Sequence, residues 1–378
     1  METRSLWARR TPLLVAGAIL SVTALVGCAA GDGETPTPTA PADGDYTGQT
    51  LTIAAYSALF NAEWAKSFGS YFEEKTGAKV VWLESSPSKA IAQAVAAGGS
   101  PSFDMMLVDP GSLAQSVQSD VIEPINKDAV PNLANVPDSL RITDAGVPTM
   151  SYRYGLCYNT KEFERLGMDP PSTAESWDES ALAGRIMVPS TTSSMWFVSV
   201  PALSEALGNS IDRPQPSVDY LGSLDPYGFF NGSGDVDAAM TSGDVWLAVS
   251  ALEGRCLRLK GQGLPVEFLP WEMTIDGEDY TNVLVAENIV LMKGAKNVGL
   301  AELFMNELLS DEGAAAAAGV HAFISSTPPT DAGVAALLEL NPAASEWMID
   351  DFSDHYLPDY SKFLPHVAAW NLAWNGML

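Results

Sequence analysis

Histidine is scarce in this sequence, and the usual catalytic patterns are absent from it. Only His321, His355 and His366 occur, and the chain contains neither an HExxH metal motif nor a GxSxG nucleophile turn. The stretch Gly232-Ser-Gly234 lacks the third glycine of a dinucleotide-binding loop. Because histidine is the usual general base near neutral pH, we expect a binding protein rather than an enzyme, with no cofactor and no metal.

Carboxylates and aromatic rings are the remaining groups that could hold a ligand. A carboxylate binds an ammonium group through charge-assisted hydrogen bonds, and the face of an aromatic ring attracts the same cation. The chain has 10 Trp and 11 Tyr, most of which we expect in the core. The acidic cluster from Asp350 to Asp359 lacks the spacing of a calcium loop and predicts a solvated surface.

The overall charge excludes one class of function. Acidic residues outnumber basic ones by 47 to 20, which gives a formal net charge of -27. Such a field repels nucleic-acid phosphates, so we expect no binding to DNA or RNA. The 378 residues, 47% of them hydrophobic, are enough for two compact domains.

The first 27 residues have the pattern of an export signal. Arg4, Arg9 and Arg10 precede an apolar run that is shorter than the roughly 20 residues of a membrane span. The run ends in Leu25-Val-Gly-Cys28, which resembles the bacterial lipobox, where the cysteine becomes diacylated and N-terminal. We therefore expect residues 1–27 to be removed and Cys28 to anchor the protein on the extracytoplasmic face of the cell membrane. The alternative is an ordinary signal peptide with a chance cysteine.

Residues 28–48 predict a flexible tether behind this anchor. Pro, Thr, Gly and Asp dominate the segment, which offers nothing to bury. Such a tether lets a globular body stand away from the membrane.

Cys157 and Cys256 are the cysteines that remain once Cys28 is modified. In an oxidising exterior two remaining cysteines often pair, so we expect a disulfide between them. The alternative is two buried thiols that only pack.

Strand-like and helical segments alternate along the body, and they must position these groups. Strand-like runs occupy residues 51–56, 79–83, 103–108, 154–158, 185–188, 245–249 and 266–269. Helical patterns occupy residues 61–76, 88–97, 194–207, 235–240, 299–309 and 311–319. The strands are continuously apolar, which predicts parallel strands covered on both faces. We expect two α/β units with a crossover near residue 148.

Five stretches carry a family resemblance. They are Phe103–Asp109, Gly146–Pro148 with Tyr154–Thr160, Leu182–Pro189, Ser242–Ala248 and Glu287–Asn297. Their order, together with the lipobox, resembles the solute-binding proteins of ABC importers. Within that group it resembles the branch of the spermidine/putrescine, ferric-ion, thiamine and phosphonate binders.

The resemblance implies a two-lobed α/β fold of the periplasmic-binding-protein type II, with two hinge crossovers. Lobe 1 would comprise residues 49–148 and 288–325, and lobe 2 would comprise residues 149–287 and 326–378. A small-molecule solute would be trapped between the lobes on closure and delivered to an ABC permease. We expect a monomer.

The resemblance also implies a ligand class. Glu287 stands where polyamine binders carry a carboxylate ahead of the return crossover, although Val285 replaces their tryptophan. Glu253, next to Gly254, stands in place of a Trp-Asn-Gly run. A cationic organic solute is therefore expected, with spermidine itself in doubt. Ferric ion is disfavoured because the chain has no Tyr-Tyr pair.

Other candidate ligand-binding residues follow from position. Strand ends that face a crevice form sites in open α/β folds, which favours Tyr56, Ser57 and Asp109, though strand capping explains them equally well. At the first crossover Tyr152 and Arg153 are candidates, and Arg153 could bind an acid group or form a hinge salt bridge. Two large aromatic residues, Trp196 and Trp271, complete the set.

Three functional hypotheses remain open at this point. The leading one is a lipid-anchored importer receptor for a small cationic solute such as a polyamine, with thiamine, phosphonate or ferric ion as other ligands. A surface enzyme on the same scaffold would need a catalytic pair in the cleft. A sensor or adhesion lipoprotein would keep the lobes and lose a closed cavity.

Overall fold

Strands and helices alternate along residues 45–191 and 193–377, the part of the chain that this computed structural model describes. The strands are β1 (Thr50–Ala55), β2 (Lys79–Glu84), β3 (Met105–Val108), β4 (Val147–Asn159), β5 (Ile186–Pro189), β6 (Gly228–Phe230), β7 (Leu247–Leu252), β8 (Val266–Leu269), β9 (Glu272–Ile275), β10 (Glu278–Thr281) and β11 (Val283–Leu291). The α-helices are α1 (Ala58–Trp64), α2 (Ser70–Thr76), α3 (Pro87–Ala97), α4 (Pro110–Gln118), α5 (Thr160–Leu166), α6 (Ser194–Ala206), α7 (Gln215–Ser223), α8 (Ser233–Ser242), α9 (Glu253–Gly261), α10 (Val298–Leu308), α11 (Asp311–Ile324), α12 (Asp331–Leu340), α13 (Tyr360–Phe363) and α14 (Val367–Met377). A π-helical turn, Ala65–Gly69, joins α1 to α2.

The main sheet has the strand order β2-β1-β3-β11-β4-β7-β5-β6, and β8 pairs with β4 beside this path. The pairs on each side of the centre are parallel, as between β1 and β2 and between β5 and β7. The central pairings of β11 with β3 and β4, and of β4 with β7, are antiparallel. β9 and β10 form a separate hairpin. This mixed sheet with helices confirms the predicted α/β class. The prediction of parallel pairing is wrong for the pairs that β4 forms with β7 and β8, because a continuously apolar run shows burial on both faces and not the direction of the neighbouring strand.

β4 and β11 are the long strands that connect the two halves of the sheet. β4 has 13 residues, and all nine residues of β11 are buried. The predicted crossover near residue 148 lies at the start of β4, and β11 is the predicted return crossover.

Two large apolar clusters lie on either side of these crossovers. One contains Leu51, Phe68 and Leu107 from the first strands and helices. The other contains residues between 154 and 283 together with Trp370 and Trp374 of α14. The segment after residue 326 contributes to both clusters, since Ile349 packs in the first and Trp370 and Trp374 pack in the second. The exact lobe boundaries stay a prediction.

The helices that start at the ends of strands are fixed by local capping. Ser57, Asp109 and Asn159 accept hydrogen bonds from backbone N–H groups in the first turns of α1, α4 and α5. Gly77 ends α2 in the left-handed conformation that glycine adopts without strain. The chain ends of β1 and β3 are thereby held at one edge of the sheet.

The folded body begins before residue 49, earlier than predicted. Tyr46 is buried in the first apolar cluster, and its backbone N–H donates to the carbonyl of Thr76. The predicted tether therefore extends too far toward the C-terminus, because the ring of Tyr46 is buried in the core. The predicted signal, Cys28 and the tether before residue 45 lie outside the described residues.

The structure contains the predicted disulfide between Cys157 and Cys256. Their Cα atoms are 5.8 Å apart, and 99 positions separate them in the sequence. The bond ties β4 to α9, so it holds the start of α9 against the first crossover.

In the ranges given above, no helix has both the length and the apolar character needed to cross a membrane.

Candidate functional site

Glu287 is the residue around which the candidate site is organised. It lies on β11, is only 1% exposed, and accepts a hydrogen bond from the Tyr56 hydroxyl at Oε1. Its other oxygen, Oε2, is buried without a hydrogen-bond partner. The register with β4 is irregular between Glu287 and Asn288, and such irregularities often redirect side chains beside functional sites.

Tyr152 and Tyr154 line the same face of the crossovers as Glu287. Tyr152 is paired with Val285, two residues before Glu287, and side chains two apart on a strand share a face. The Tyr152 and Tyr154 rings meet edge to face with centroids 5.8 Å apart. Arg153 lies between them on the strand and therefore points to the opposite face.

Asp109 supplies a second buried carboxylate to this region. It is the N-cap of α4, is 5% exposed, and accepts from the backbone N–H and the Oγ of Ser112, both at 2.8 Å. Val108 pairs with Asn288, so Asp109 follows at the register position opposite Glu287, and its charge raises the pKa of Tyr56 and of Glu287.

Tyr360 reaches the same region from the C-terminal segment. Its hydroxyl donates to the carbonyl of Val198 at 3.2 Å, and its ring stacks on Phe197 with centroids 6.3 Å apart. The charge of Asp109 raises the pKa of Tyr360. α13 and α6 both pack on α4, which brings the two halves of the molecule into contact here.

The electrostatics of the site are those of buried acids without a basic partner. Burial raises the pKa of Glu287 to about 8, and the charge of Asp109 adds to this, while the neighbouring hydroxyls of Tyr56 and Tyr152 act in the opposite direction. Burial also raises the pKa of Asp109, against the hydrogen bonds from Ser112. Burial raises the pKa values of Tyr56, Tyr152, Tyr154 and Tyr360 as well, so these phenols stay neutral.

Arg153 and Glu253 pair with each other on the other face of β4. The guanidinium Nε and Nη2 donate to the two carboxylate oxygens at 2.6 and 2.8 Å, a bidentate arrangement. The Nη1 atom lies 3.3 Å from Nε2 of His355, whose Nδ1 contacts Asp354. Burial raises the pKa of Glu253, and Arg153 opposes this rise. Of the two roles that the sequence allowed for Arg153, the structure shows the salt bridge.

The remaining predicted site residues lie elsewhere. Trp196 and Trp271 are buried in the apolar cluster of the second half, where Trp196 contacts Trp370 and Trp271 contacts Trp177. Ser57 is exposed and caps α1. Of the nine predicted ligand-binding residues, the structure brings together Tyr56, Asp109, Tyr152 and Glu287.

Sequence reasoning missed Tyr154 and Tyr360 as site residues. Tyr154 had a usable signal, because it follows Tyr152 by two positions on a predicted crossover. Tyr360 had none, since it follows an acidic cluster that predicted only a solvated surface. The carboxylates of that cluster are indeed exposed, whereas His355 and Tyr360 inside the same segment are buried.

Within the part of the chain that the structure describes, no group of three or more His, Cys, Asp and Glu side chains is arranged to hold a metal ion. The arrangement can instead accept hydrogen bonds from a cation. Buried carboxylate oxygens and tyrosine hydroxyls are suited to an ammonium group.

The sequence profile of the bacterial extracellular solute-binding proteins matches residues 68–346. The chain belongs to this family. Members bind small solutes outside the cytoplasm as components of ABC transporters, and this agrees with the two-lobed fold and the enclosed polar site. The resemblance seen in the sequence is thereby confirmed at the level of the family.

Solved structures similar to this solute-binding protein share its fold. The Atu4243–GABA receptor has a TM-score of 0.69 at 18% identity, over 87% of this chain and 97% of that chain. AgtB from A. tumefaciens R10, in complex with agropinic acid, has a TM-score of 0.63 at 20% identity, over 88% and 99%. A protein assigned as a spermidine/putrescine ABC transporter from Listeria monocytogenes has a TM-score of 0.64 at 18% identity, over 86% and 99%. A comparison with curated proteins finds no match.

Proposed function

We propose that this solute-binding protein is the lipid-anchored receptor of an ABC importer and that it captures a small cationic solute, an amine of the polyamine class. The observation that carries the ligand class is Glu287, a buried carboxylate whose Oε2 has no partner. A buried acceptor without a partner is costly, and an ammonium N–H would satisfy it.

The surroundings of Glu287 favour a cation over an anion or a zwitterion. Asp109 is the neighbouring charged group, and within the described ranges neither acid forms an ion pair with a lysine or arginine. Arg153, which could have bound a carboxylate of the solute, is occupied by Glu253. The tyrosine rings beside the acids supply faces for a cation or for its alkyl chain.

Solved structures with a similar fold bind amines and also other classes of solute. The similar structures include a protein assigned to spermidine and putrescine, which are cationic amines, and a GABA receptor, whose solute carries an ammonium group together with a carboxylate. Another similar structure holds agropinic acid, so the fold alone accepts different ligands. The ligand class therefore depends on the side chains described above.

A thermal-shift panel tests the proposed ligand class. Putrescine, spermidine, GABA, thiamine, a phosphonate and ferric citrate are added to the purified body, residues 29–378. A solute at 100 times its Kd stabilises the native state by about 2.7 kcal/mol. We therefore expect putrescine and spermidine to raise the Tm, and the zwitterion GABA and the phosphonate to leave it unchanged.

Two variants give this panel its control. Glu287→Gln should abolish the shift with amines, whereas Glu302→Gln should keep it, because Glu302 is a buried carboxyl of α10 outside the site. Absence of a shift with every amine, in protein that unfolds cooperatively, would refute the proposal.

The anchor is part of the same proposal and rests on the Leu25-Val-Gly-Cys28 motif. Attachment of acyl chains at Cys28 would keep the receptor beside its permease. Expression of Cys28→Ala should release the protein into the medium, and mass spectrometry of the wild-type N-terminal peptide should detect the lipid. An unmodified N-terminal peptide in membrane-bound protein would contradict the anchor and leave the ligand class untouched.

A further inference from the structure

Glu287 and Asp109 form a buried pair of acids that the protein itself does not neutralise. They are 1% and 5% exposed, and the antiparallel pairing of Val108 with Asn288 places Asp109 at the next register position, opposite Glu287. No lysine or arginine of the described residues is ion-paired with either acid. Two like charges buried together without a cation cannot both be ionised at low cost, so one of the acids must bind a proton or a cation.

Asp109 is the acid that the fold keeps ionised more easily. It lies at the N-terminus of α4 and accepts two hydrogen bonds from Ser112, and both features favour its charged form. Glu287 receives the Tyr56 hydroxyl at Oε1 and nothing at Oε2. The pKa of Glu287 is raised to about 8 by burial and by Asp109, which agrees with this division of roles.

We propose that the empty receptor carries a proton on Glu287 and that capture of an ammonium solute displaces it. The solute arrives as an ammonium ion, the proton on the Glu287 carboxyl leaves to water, and Oε2 then accepts a hydrogen bond from the ammonium N–H. One positive charge replaces another, so the net charge of the buried site is unchanged. This inference rests on the proposed function, because it requires the solute to be a cation.

The other groups that face Glu287 do not supply this exchange. The phenols have pKa values raised by burial and stay neutral in the relevant range. Arg153 lies on the opposite face of β4 in its ion pair, and burial lowers the pKa of His355 beside it. The facing groups, by element, are Tyr56 at the end of β1, Asp109 at the start of α4, Tyr152 and Tyr154 of β4, and Tyr360 of α13.

Exchange makes the affinity for the solute depend on pH. Below the pKa of Glu287 the solute competes with protons, so each fall of one pH unit should raise the Kd tenfold. Above that pKa the Kd should be constant, because Glu287 is already ionised. From the plateau well above pH 8 down to about pH 6 we therefore expect a rise in Kd of about 100-fold.

Isothermal titration calorimetry tests the exchange directly. Putrescine, or the amine with the largest thermal shift, is titrated at several pH values in two buffers of different ionisation enthalpy. The difference in heat gives the number of protons released, and we expect it to approach one per solute at neutral pH. Constant Kd and no proton release, with binding intact, would overturn the exchange while the proposed function stands. If no amine binds at all, the proposed function and the exchange both fall.

A matched variant separates the charge of Asp109 from its capping role. Asn is as good an N-cap as Asp, so Asp109→Asn should fold normally. Because it removes the neighbouring charge, we expect the pH at which the Kd becomes constant to move downward. If the Kd of Asp109→Asn becomes constant at the same pH as that of the wild type, the pairing of the two acids is contradicted.

A measurement without any solute completes the test. The infrared difference spectrum of the empty wild-type protein minus Glu287→Gln should contain the C=O stretch of a protonated carboxyl below the pKa of Glu287. The same band should vanish well above that pKa. Its absence from the spectrum at the lower pH would overturn the exchange even where amines bind.

Discussion

Strand alternation decides what Arg153 does. It lies between Tyr152 and Tyr154, which face Glu287, and so it faces away from the site and pairs with Glu253. A ligand-binding role was predicted for Glu253 from the family resemblance, and for Arg153, with a hinge salt bridge as the alternative, from its position at the crossover. The geometry supports a positioning role, in which the pair joins β4 to the start of α9.

Glu253→Gln tests which role is correct. Loss of one partner leaves a largely buried guanidinium without its counter-charge, so we expect a loss of about 3 kcal/mol in the free energy of unfolding, measured in urea. The Kd for the solute should change less than threefold in the folded variant. A normal stability with a Kd weakened a hundredfold would instead assign Glu253 to the ligand.

The stability of the empty protein should fall as the pH rises toward 8. The folded-state pKa of Glu287 is about 8, above its ordinary value of 4.5, so the folded state binds a proton that the unfolded state has lost. The stabilising contribution is full below the ordinary pKa and is lost as the pH rises to the folded-state pKa, with a slope of about 1.4 kcal/mol per pH unit. Comparison of wild type with Glu287→Gln by urea unfolding should isolate this slope, which the variant lacks. Equal slopes in the two proteins would show that Glu287 titrates normally.

At the scale of elements, α4 and α6 meet where glycine leaves room for an aromatic ring. A side chain on Gly111 would overlap the ring of Phe197, which stacks on Tyr360. The absence of a side chain at this position therefore lets the two halves approach closely beside Asp109.

Gly111→Ala should hinder this approach. We expect the Kd for the solute to rise about tenfold, which corresponds to about 1.4 kcal/mol, because the overlap is present only when the halves are in contact. Gly234→Ala is the matched control, since a side chain there meets no atom within 4 Å. The double variant Gly111→Ala with Phe197→Leu should recover part of the affinity. An unchanged Kd in Gly111→Ala would show that this contact does not contribute to capture.

The elements with clear local patterns could be predicted, whereas their assembly could not. β1, β2 and α3 match their predicted ranges within two residues, because apolar runs, caps and glycines are local signals. The β9–β10 hairpin and α14 were missed, since their sequences carry weak patterns and their stability comes from tertiary contacts. The site follows the same rule: Glu287 was predicted from its match to a carboxylate position of the polyamine binders, while Tyr360 joins it only through packing.

At the scale of the whole molecule, the disulfide constrains a long loop. The bond between Cys157 and Cys256 spans 99 positions and links β4 to α9. Cross-linking a loop of about 100 residues restricts the unfolded chain and stabilises the fold by about 4 kcal/mol in the chain-entropy view.

Removal of this bond should lower the Tm without changing the ligand class. The double variant Cys157→Ala with Cys256→Ala should lose about 4 kcal/mol of unfolding free energy and keep its amine preference. Calorimetry with and without a reductant is the measurement, with the double variant as the control that reductant should not affect. A wild-type Tm that is insensitive to reductant would indicate that the bond is absent in solution.

The arrangement of the crossovers has a consequence for release. Glu287 and Tyr152 lie on β11 and β4, the strands that both halves share. Asp109 and Tyr360 come from opposite halves and approach Glu287 from the two sides. When Asp109 and Tyr360 separate, water reaches the crossover strands and weakens the attraction between the Glu287 carboxylate and a bound cation. The movement that opens a path for the solute to leave therefore also lowers the affinity of the site for it.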